Sequence, residues 1–527
     1  MILDKKILLF ICYIFLGFFA FFLNYWTGSR GVFPIDTFVH FDSSLRILKQ
    51  ELPIRDFWIN SGLFIDFIQA IFFKIFGINW KAYILHSSFF NLLITTFSFK
   101  IFTELEIKIL PAFILALCVS VLSYPVSGTP FLDLHSAFFS LFALYFLLLF
   151  IKKGDYFYIF FSVVILGFAF LSKQVPASYF ILFVTFFIFL NSYQNQNLKL
   201  LIVSFCSLIF FLATLYIYLK ITNTGVQDFI FQFFIFPSEI GRNRHANYEL
   251  NIKNIFLDFK FIYLFIIPIM LIILKKMMIK NFIKSKEFNY FLLIFFYTSA
   301  LIYHQIYTKN QIFIFFLIPI LCAFFLKLIS NINIGINYKK HLTYFAIVIC
   351  IFITLKYHLR FNEQRKFHEL SNVKINNAVE VNFKKDFFRG LNWITPNFSN
   401  PKDELKIIEE FYLLIKNDKS RKIVITDYSF FSGLLNEKLH SPSRTFDSIS
   451  YPKLGSKLYL KYKDFFRNNI TKNKIESIYI FYSALEIKDE FLEHLVFNYL
   501  PEKCYKLQNI NKIIKKIELK KCEYLAN

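Results

Sequence analysis

Residues 34–63 read PIDTFVHFDSSLRILKQELPIRDFWINSGL, with Asp36, Asp42, Glu51, Asp56, Arg46, Arg55, Lys49 and His40 in one short stretch. Directly before it, residues 7–25 form an unbroken apolar run, ILLFICYIFLGFFAFFLNY. Similar apolar runs recur as far as Leu355 and then stop. Of the 527 residues, 56% are hydrophobic and 76 are Phe, above the roughly 45–50% apolar usage of soluble domains. Runs of this length cross a bilayer as helices, because only a helix satisfies its own backbone groups in hydrocarbon. The sequence therefore reads as a polytopic membrane bundle followed by a polar tail. The net charge of +23 is carried largely by Lys between apolar runs, which fits membrane topology and argues against nucleic acid as a partner.

The expected spans are Ile7 to Tyr25, Ala82 to Phe99, Ile109 to Tyr124, Leu134 to Ile151, Tyr156 to Leu171, Val175 to Leu190, Leu198 to Leu219, Phe261 to Leu274, Phe288 to Tyr307, Ile312 to Leu328 and Leu342 to Leu355. Leu63 to Gly77 is short and holds Asp66 and Lys74, which are costly at mid-bilayer, so it reads as an interfacial helix. With about eleven spans, Lys5/Lys6, Lys100/Lys108, Lys152/Lys153, Lys199, Lys275 to Lys286 and Lys339/Lys340 all fall on one side. By the positive-inside rule that side is cytoplasmic, which places the N-terminus inside and the tail outside.

The same threading puts Arg30, Arg46, Arg55, Arg242 and Arg244 outside. Guanidinium groups fit phosphate in a bidentate fashion, so these arginines read as ligands for an anion or as rim residues on lipid headgroups. The outer ends also collect Asp133 and His135 in SYPVSGTPFLDLHS, the pair Lys173-Gln174, the loop EIGRNRHANYE, and His304 with Lys309 in HQIYTKNQ. Carboxylates and cations gathered at one interface suit chemistry on an amphiphile with a charged head. The scattered histidines lack partners at metal-ligand spacing, so no metal site and no cofactor is expected.

From Lys356 the chain becomes charged. KDELKIIEEFYLLIKND has helical periodicity, RKIVITDY and ESIYIFYSAL read as strands, and together they make a small α/β domain. No Gly-rich phosphate loop, nucleophile elbow or CxxC pair occurs there. Asp427, just after the first of these strands, is its one candidate functional residue. Cys504 and Cys522 either form one disulfide in an oxidising compartment or remain separate thiols; the other five cysteines lie in apolar runs.

The order of first span, Asp-bearing loop IDTFVHFDSSLRILKQELPIRDF, short segment IDFIQAIFFKIFG, two spans and a second Asp in GTPFLDLHSAFF resembles the GT-C superfamily of membrane glycosyltransferases over roughly residues 1–200. Protein O-mannosyltransferases and the lipid A aminoarabinose transferase are relatives in that superfamily. Here Asp36 is followed by Thr37 where the family often has Glu, Glu51 stands where Gly is common, and Ser61-Gly62-Leu63 replaces the usual Pro-Pro-Leu. The resemblance implies a GT-C-like helical domain over 1–356 with a catalytic external loop at 26–80, and an extracytoplasmic α/β domain over 357–527. It also implies transfer of a sugar, with inversion, from a polyprenyl-phosphate carrier to an envelope glycan, lipid or protein. Membrane lipids complete the partners, and a bacterial inner membrane is the setting. Some relatives use a divalent ion, which Asp36 and Asp133 would share.

The resemblance gives Asp36 the place of the family's first-loop base, with Asp42 and Asp133 as further catalytic candidates. The bland reading makes Asp36 and Asp133 helix caps. A helix over 36–48 would put Asp36 and His40 on one face. A phosphate leaving group needs no strong acid, only a base for the acceptor and cations for the phosphate. His40, Arg46, Arg55, Lys74, Lys173, Gln174, Arg242, Arg244, His304 and Lys309 are the substrate-binding candidates, with an interfacial snorkel as the alternative for Lys173. Three other functions compete: a lipid-linked sugar flippase or transporter, which predicts internal repeats and mid-membrane polar breaks that the sequence lacks; a surface-glycan ligase or polymerase, which rests on the Arg242/Arg244 loop; and a membrane sensor with a ligand-binding tail.

Overall fold

The computed structural model describes residues 4–246, 251–279, 281–308, 314–333, 335–447, 449–483, 487–520 and 522. By internal contacts the chain divides into two compact units. The first comprises residues 1–28, 84–215 and 247–367; the second comprises 29–83, 216–246 and 368–527.

Helices cover the apolar runs, and each of the eleven expected spans overlaps one; the start of the span expected at Ile312 to Leu328 lies outside the described residues, and its helix is Leu317–Ser330. Among the described residues, eight helices are long and apolar enough to cross a membrane, including Lys5–Gly28, Leu132–Lys153, Gln174–Asn195 and Lys286–Thr308. Phe157–Ser172 and Leu317–Ser330 are apolar but shorter, and Lys260–Met277 carries lysines at both ends. The chain is a multi-pass membrane protein. Polar side chains knit the bundle: Asn91 donates to the carbonyls of Ala20 (2.8 Å) and Ser120 (3.1 Å), and Tyr297 donates to that of Ala137 (2.7 Å). At one point two backbones touch. A Cβ on Gly28 would lie 2.5 Å from the carbonyl oxygen of Gly128, whose φ is +74°, so both positions require glycine.

The two ends of this unit differ chemically. At one end of the Leu132–Lys153 and Lys286–Thr308 helices, Lys152 pairs with Glu104 (2.8 Å) and Lys276 with Glu287, while Lys327 holds Glu106 (2.5 Å). The opposite ends of the same two helices carry Asp133 and His304.

In the second unit a four-stranded sheet has the order β3-β4-β6-β5, from β3 (Lys422–Thr426), β4 (Ser477–Phe481), β5 (Tyr505–Asn509) and β6 (Ile514–Leu519). A separate two-stranded ribbon pairs β1 (Val379–Glu380) with β2 (Asn392–Trp393). Strands β3 and β4 run parallel, and the other pairings of the sheet are antiparallel. All five residues of β3 and of β4 are buried, which explains why they read as continuous apolar runs rather than alternating ones. The helix Pro401–Asn417 leads into β3, and Tyr459–Asn473 into β4. Trp58 and Phe236, from the segments far upstream, join the core around Ile423, Ile425 and Tyr462. Main-chain bonds seal that join, from Trp58 to Pro442 (2.8 Å) and from Arg444 to Trp58 (3.1 Å). Cys504 and Cys522 are disulfide-bonded.

Candidate functional site

Two polar clusters stand out, one in each unit. In the first, Asp133 is 3% exposed at the second residue of its helix. Lys173 closes the Phe157–Ser172 helix with an extended backbone, which turns its ammonium back to both carboxylate oxygens of Asp133 at 2.7 Å. His304 Nε2 lies 2.7 Å from Asp133 Oδ1. Next to this group, His86 and His135 meet through their Nε2 atoms at 2.9 Å, and Tyr124 hydrogen-bonds His135 Nδ1. A buried, paired carboxylate among apolar helices is expensive, which makes Asp133 a candidate functional residue. Residue 131, not Asp133, caps this helix, so the cap reading of Asp133 falls. Gln174 opens the next helix.

The second cluster lies in the loop after the first helix. Here the expectation of one helix over 36–48 is corrected. Phe38 breaks the chain into Pro34–Thr37 and Val39–Leu48, with φ −97° and ψ 0° at the break. Asp36 and His40 therefore sit on different helices. Asp36 belongs to the first turn of the short one, whose cap is Phe33, so Asp36 is not a helix cap either. His40 turns to Asp66 instead, with Nδ1 2.6 Å from Oδ1. Asp66 is fully buried and also takes Arg444 Nη1 at 3.3 Å, while the same nitrogen donates to the carbonyl of Ser61 at 2.7 Å. Nε2 of His40 is buried and makes no hydrogen bond among the described residues. Burial lowers the His40 pKa against the opposing pull of Asp66, so near neutral pH the ring is uncharged and its proton lies on Nδ1, facing the carboxylate.

Asp42 accepts a hydrogen bond from Ser432, and burial raises its pKa. Arg46, stacked 3.9 Å over Phe57, bonds Glu51 (2.9 Å), and His440 reaches the other oxygen of Glu51 (2.6 Å). Although burial pushes Glu51 up, Arg46 and His440 hold its pKa down to about 2. Arg55 is committed to Asp56 (2.5 Å) and to the Thr222 and Gln50 carbonyls. Lys74 is exposed in the last turn of Leu63–Phe76. Arg242 and Arg244 are exposed on Phe236–Ala246. Lys309 lies outside the described residues.

At the C-terminal end of β3, burial pushes the Asp427 pKa up to about 7, helped by the nearby Glu404. Glu404 itself is fully buried and accepts from Tyr428 (2.6 Å), Trp393 (2.9 Å) and Thr395 (2.8 Å).

Sequence reasoning missed the partnership of Asp66 with His40 and Arg444. A carboxylate in an otherwise apolar helix was the available signal for Asp66. Nothing in PSRTF marks Arg444. Among the described residues no group of three metal-ligating side chains could hold an ion.

The membrane bundle, with a polar loop after its first span, a buried Asp opening a later span and an α/β tail, has the order of elements that the resemblance to the GT-C superfamily implies. The comparisons agree with that class. Residues 60–217 match the family model of dolichyl-phosphate-mannose-protein mannosyltransferase. No curated protein matches the chain. Among solved structures, the fold matches ArnT from Cupriavidus metallidurans bound to undecaprenyl phosphate, at 11% identity and a TM-score of 0.50, over 96% of this chain and 97% of that one. The apo form of the same ArnT matches at 12% identity and a TM-score of 0.51, with the same coverage. The resemblance read from the first loop is thus borne out as a GT-C fold related to that of ArnT.

Proposed function

We propose that this protein is a glycosyltransferase that moves a sugar from a polyprenyl-phosphate carrier to an acceptor of the cell envelope. The observation that carries this reading is the buried Asp133–Lys173–His304 cluster, at one end of a membrane bundle whose other end is rich in Lys–Glu pairs. The ArnT relative bound to undecaprenyl phosphate supports a lipid-phosphate donor. In the proposed mechanism Asp36 removes the acceptor hydroxyl's proton as that oxygen attacks the anomeric carbon, and the carrier phosphate leaves from the opposite face with inversion. Within the first unit, Lys173 is the candidate cation for a phosphate group, a role typically worth about 3 kcal/mol per well-placed donor. Asp133 holds the ammonium in place, and His304 holds Asp133.

The tail faces the outside in this reading, and its disulfide supports that side because such bonds persist in oxidising compartments. The N-terminus and the Lys-rich ends then face the cytoplasm of a bacterial inner membrane. The test is incubation of the purified protein with an envelope extract that contains both polyprenyl-phosphate sugars and the glycans, lipids and proteins that could accept the sugar, with mass spectrometry for released polyprenyl phosphate. Release by the wild type and none by Asp36→Asn supports the assignment. Equal release by both removes Asp36 as the base.

A further inference from the structure

The second unit holds a groove lined by none of the residues assigned above to sugar transfer. Its volume is about 410 Å3, within the range of ligand sites. Lys419, Arg421, Lys422, Lys438, Lys472 and His440 line it, with Asp418 and Glu437 as the carboxylates. Charge accounting separates this groove from an ordinary solvated face. Asp418 is already engaged by the Tyr479 hydroxyl (2.5 Å) and the Lys516 ammonium (3.2 Å). Glu437 sits 3.7 Å from Lys422, a buried lysine that also donates to the Asp418 carbonyl at 2.5 Å. Lys472 pairs with Asp56 (2.9 Å). Lys419, Arg421 and Lys438 remain, all exposed and without a carboxylate at ion-pair distance among the described residues.

Two more features shape the groove. His440 has a left-handed backbone, φ +47°, and its ring is fixed by Glu51 at 2.6 Å. Strain of this kind persists only where the surroundings impose it. Among the described residues, no aliphatic or aromatic hydrocarbon side chain lines the groove, so an acyl chain or a stacked apolar ring finds nothing there to bury against.

We propose that this groove binds a hydrophilic ligand that carries a phosphate or carboxylate, of the size of a phosphorylated mono- or disaccharide. Three uncompensated cations around one cavity match the charge, and the guanidinium of Arg421 offers the fork that phosphate oxygens accept in pairs. The proposal concerns binding alone and stands whether or not the transferase reading does.

The test uses the full chain in a neutral detergent and titrates glucose 6-phosphate, glucose, and glycerophosphoglycerol, the water-soluble headgroup of an anionic phospholipid, by calorimetry. Glucose 6-phosphate should bind and glucose should not. Lys419→Gln/Arg421→Gln/Lys438→Gln should weaken glucose 6-phosphate binding about tenfold or more, and added salt should weaken it in the wild type. Lys406→Gln, on the exposed face of Pro401–Asn417, should leave it unchanged and so control for the loss of a surface charge. Equal binding of glucose, unchanged binding by the triple variant, or no binding at millimolar concentration overturns the proposal. Tighter binding of glycerophosphoglycerol than of glucose 6-phosphate overturns the saccharide assignment in favour of a lipid headgroup.

Discussion

Replacing Asp133 with Asn keeps the shape of the side chain and removes its charge, so it isolates the electrostatics of the first unit's cluster. The carboxylate accepts from Lys173 at both oxygens and meets His304 at one, all at 2.7 Å. Removing one partner of a buried pair costs about 3–5 kcal/mol, because the other charge is left uncompensated. The Lys173 side chain keeps 19% exposure, so water recovers part of that loss and the expected cost lies near the lower end, about 3 kcal/mol. For a chain of this size that corresponds to a fall in melting temperature of about 3–6 °C. The assay is thermal unfolding of the detergent-purified protein, read by tryptophan fluorescence and checked by size exclusion. A second variant sharpens it: Lys173→Met combined with Asp133→Asn should be less destabilised than the sum of the single variants, since no orphan charge remains. If Asp133→Asn melts with the wild type, or the two variants simply add, the cluster is not a coupled ion pair and its proposed role falls with it.

Other consequences can be checked with the same preparation. Gly28→Ala should fold poorly or melt well below the wild type, because its Cβ would press on the Gly128 carbonyl at 2.5 Å; expression and melting temperature report this. Glu51→Gln should destabilise the protein near neutral pH, and the gap to the wild type should close as pH falls from about 5 toward 2. The Glu51 pKa is depressed to about 2 in the folded state, so its stabilisation is present above the unfolded pKa and lost on passing through the folded one. Asp427 has the opposite sign. Its folded pKa is raised to about 7, so the wild type should lose stability between roughly pH 4 and 7, and Asp427→Asn should flatten that slope. Reduction of Cys504–Cys522, 18 residues apart in sequence, should lower the stability of the second unit by about 3 kcal/mol, measured by urea unfolding with and without dithiothreitol.

The legible part of this fold was the part written in hydrophobic length. Each apolar run carries a helix over its described residues, and the helix and both strands expected in the tail lie at Pro401–Asn417, Lys422–Thr426 and Ser477–Phe481. The break at Phe38 was not legible, since PIDTFVHFD carries no Gly and its only Pro stands at the helix start, where it is tolerated. The consequence reached the site, because His40 turned from Asp36 to Asp66. Cluster membership followed a similar rule. Asp133, Lys173 and His304 were each visible as charged or polar groups at helix ends, and only the packed bundle shows them meeting at 2.7 Å. Arg444 and His440 come from a loop with no periodicity, and their partners Asp66 and Glu51 lie almost four hundred residues earlier. Pattern within a short window cannot report such contacts.

The central claim, sugar transfer from a lipid-phosphate carrier, is tested most directly in cells. Lipid-linked sugars and surface glycans would be compared by mass spectrometry in strains carrying the wild type, Asp36→Asn at equal membrane abundance, or a deletion. The account predicts that both altered strains accumulate one polyprenyl-phosphate sugar and lose one glycan decoration, which together name the donor and the acceptor. If neither the variant nor the deletion changes the lipid-linked sugars or the glycans, the protein does not carry out this transfer.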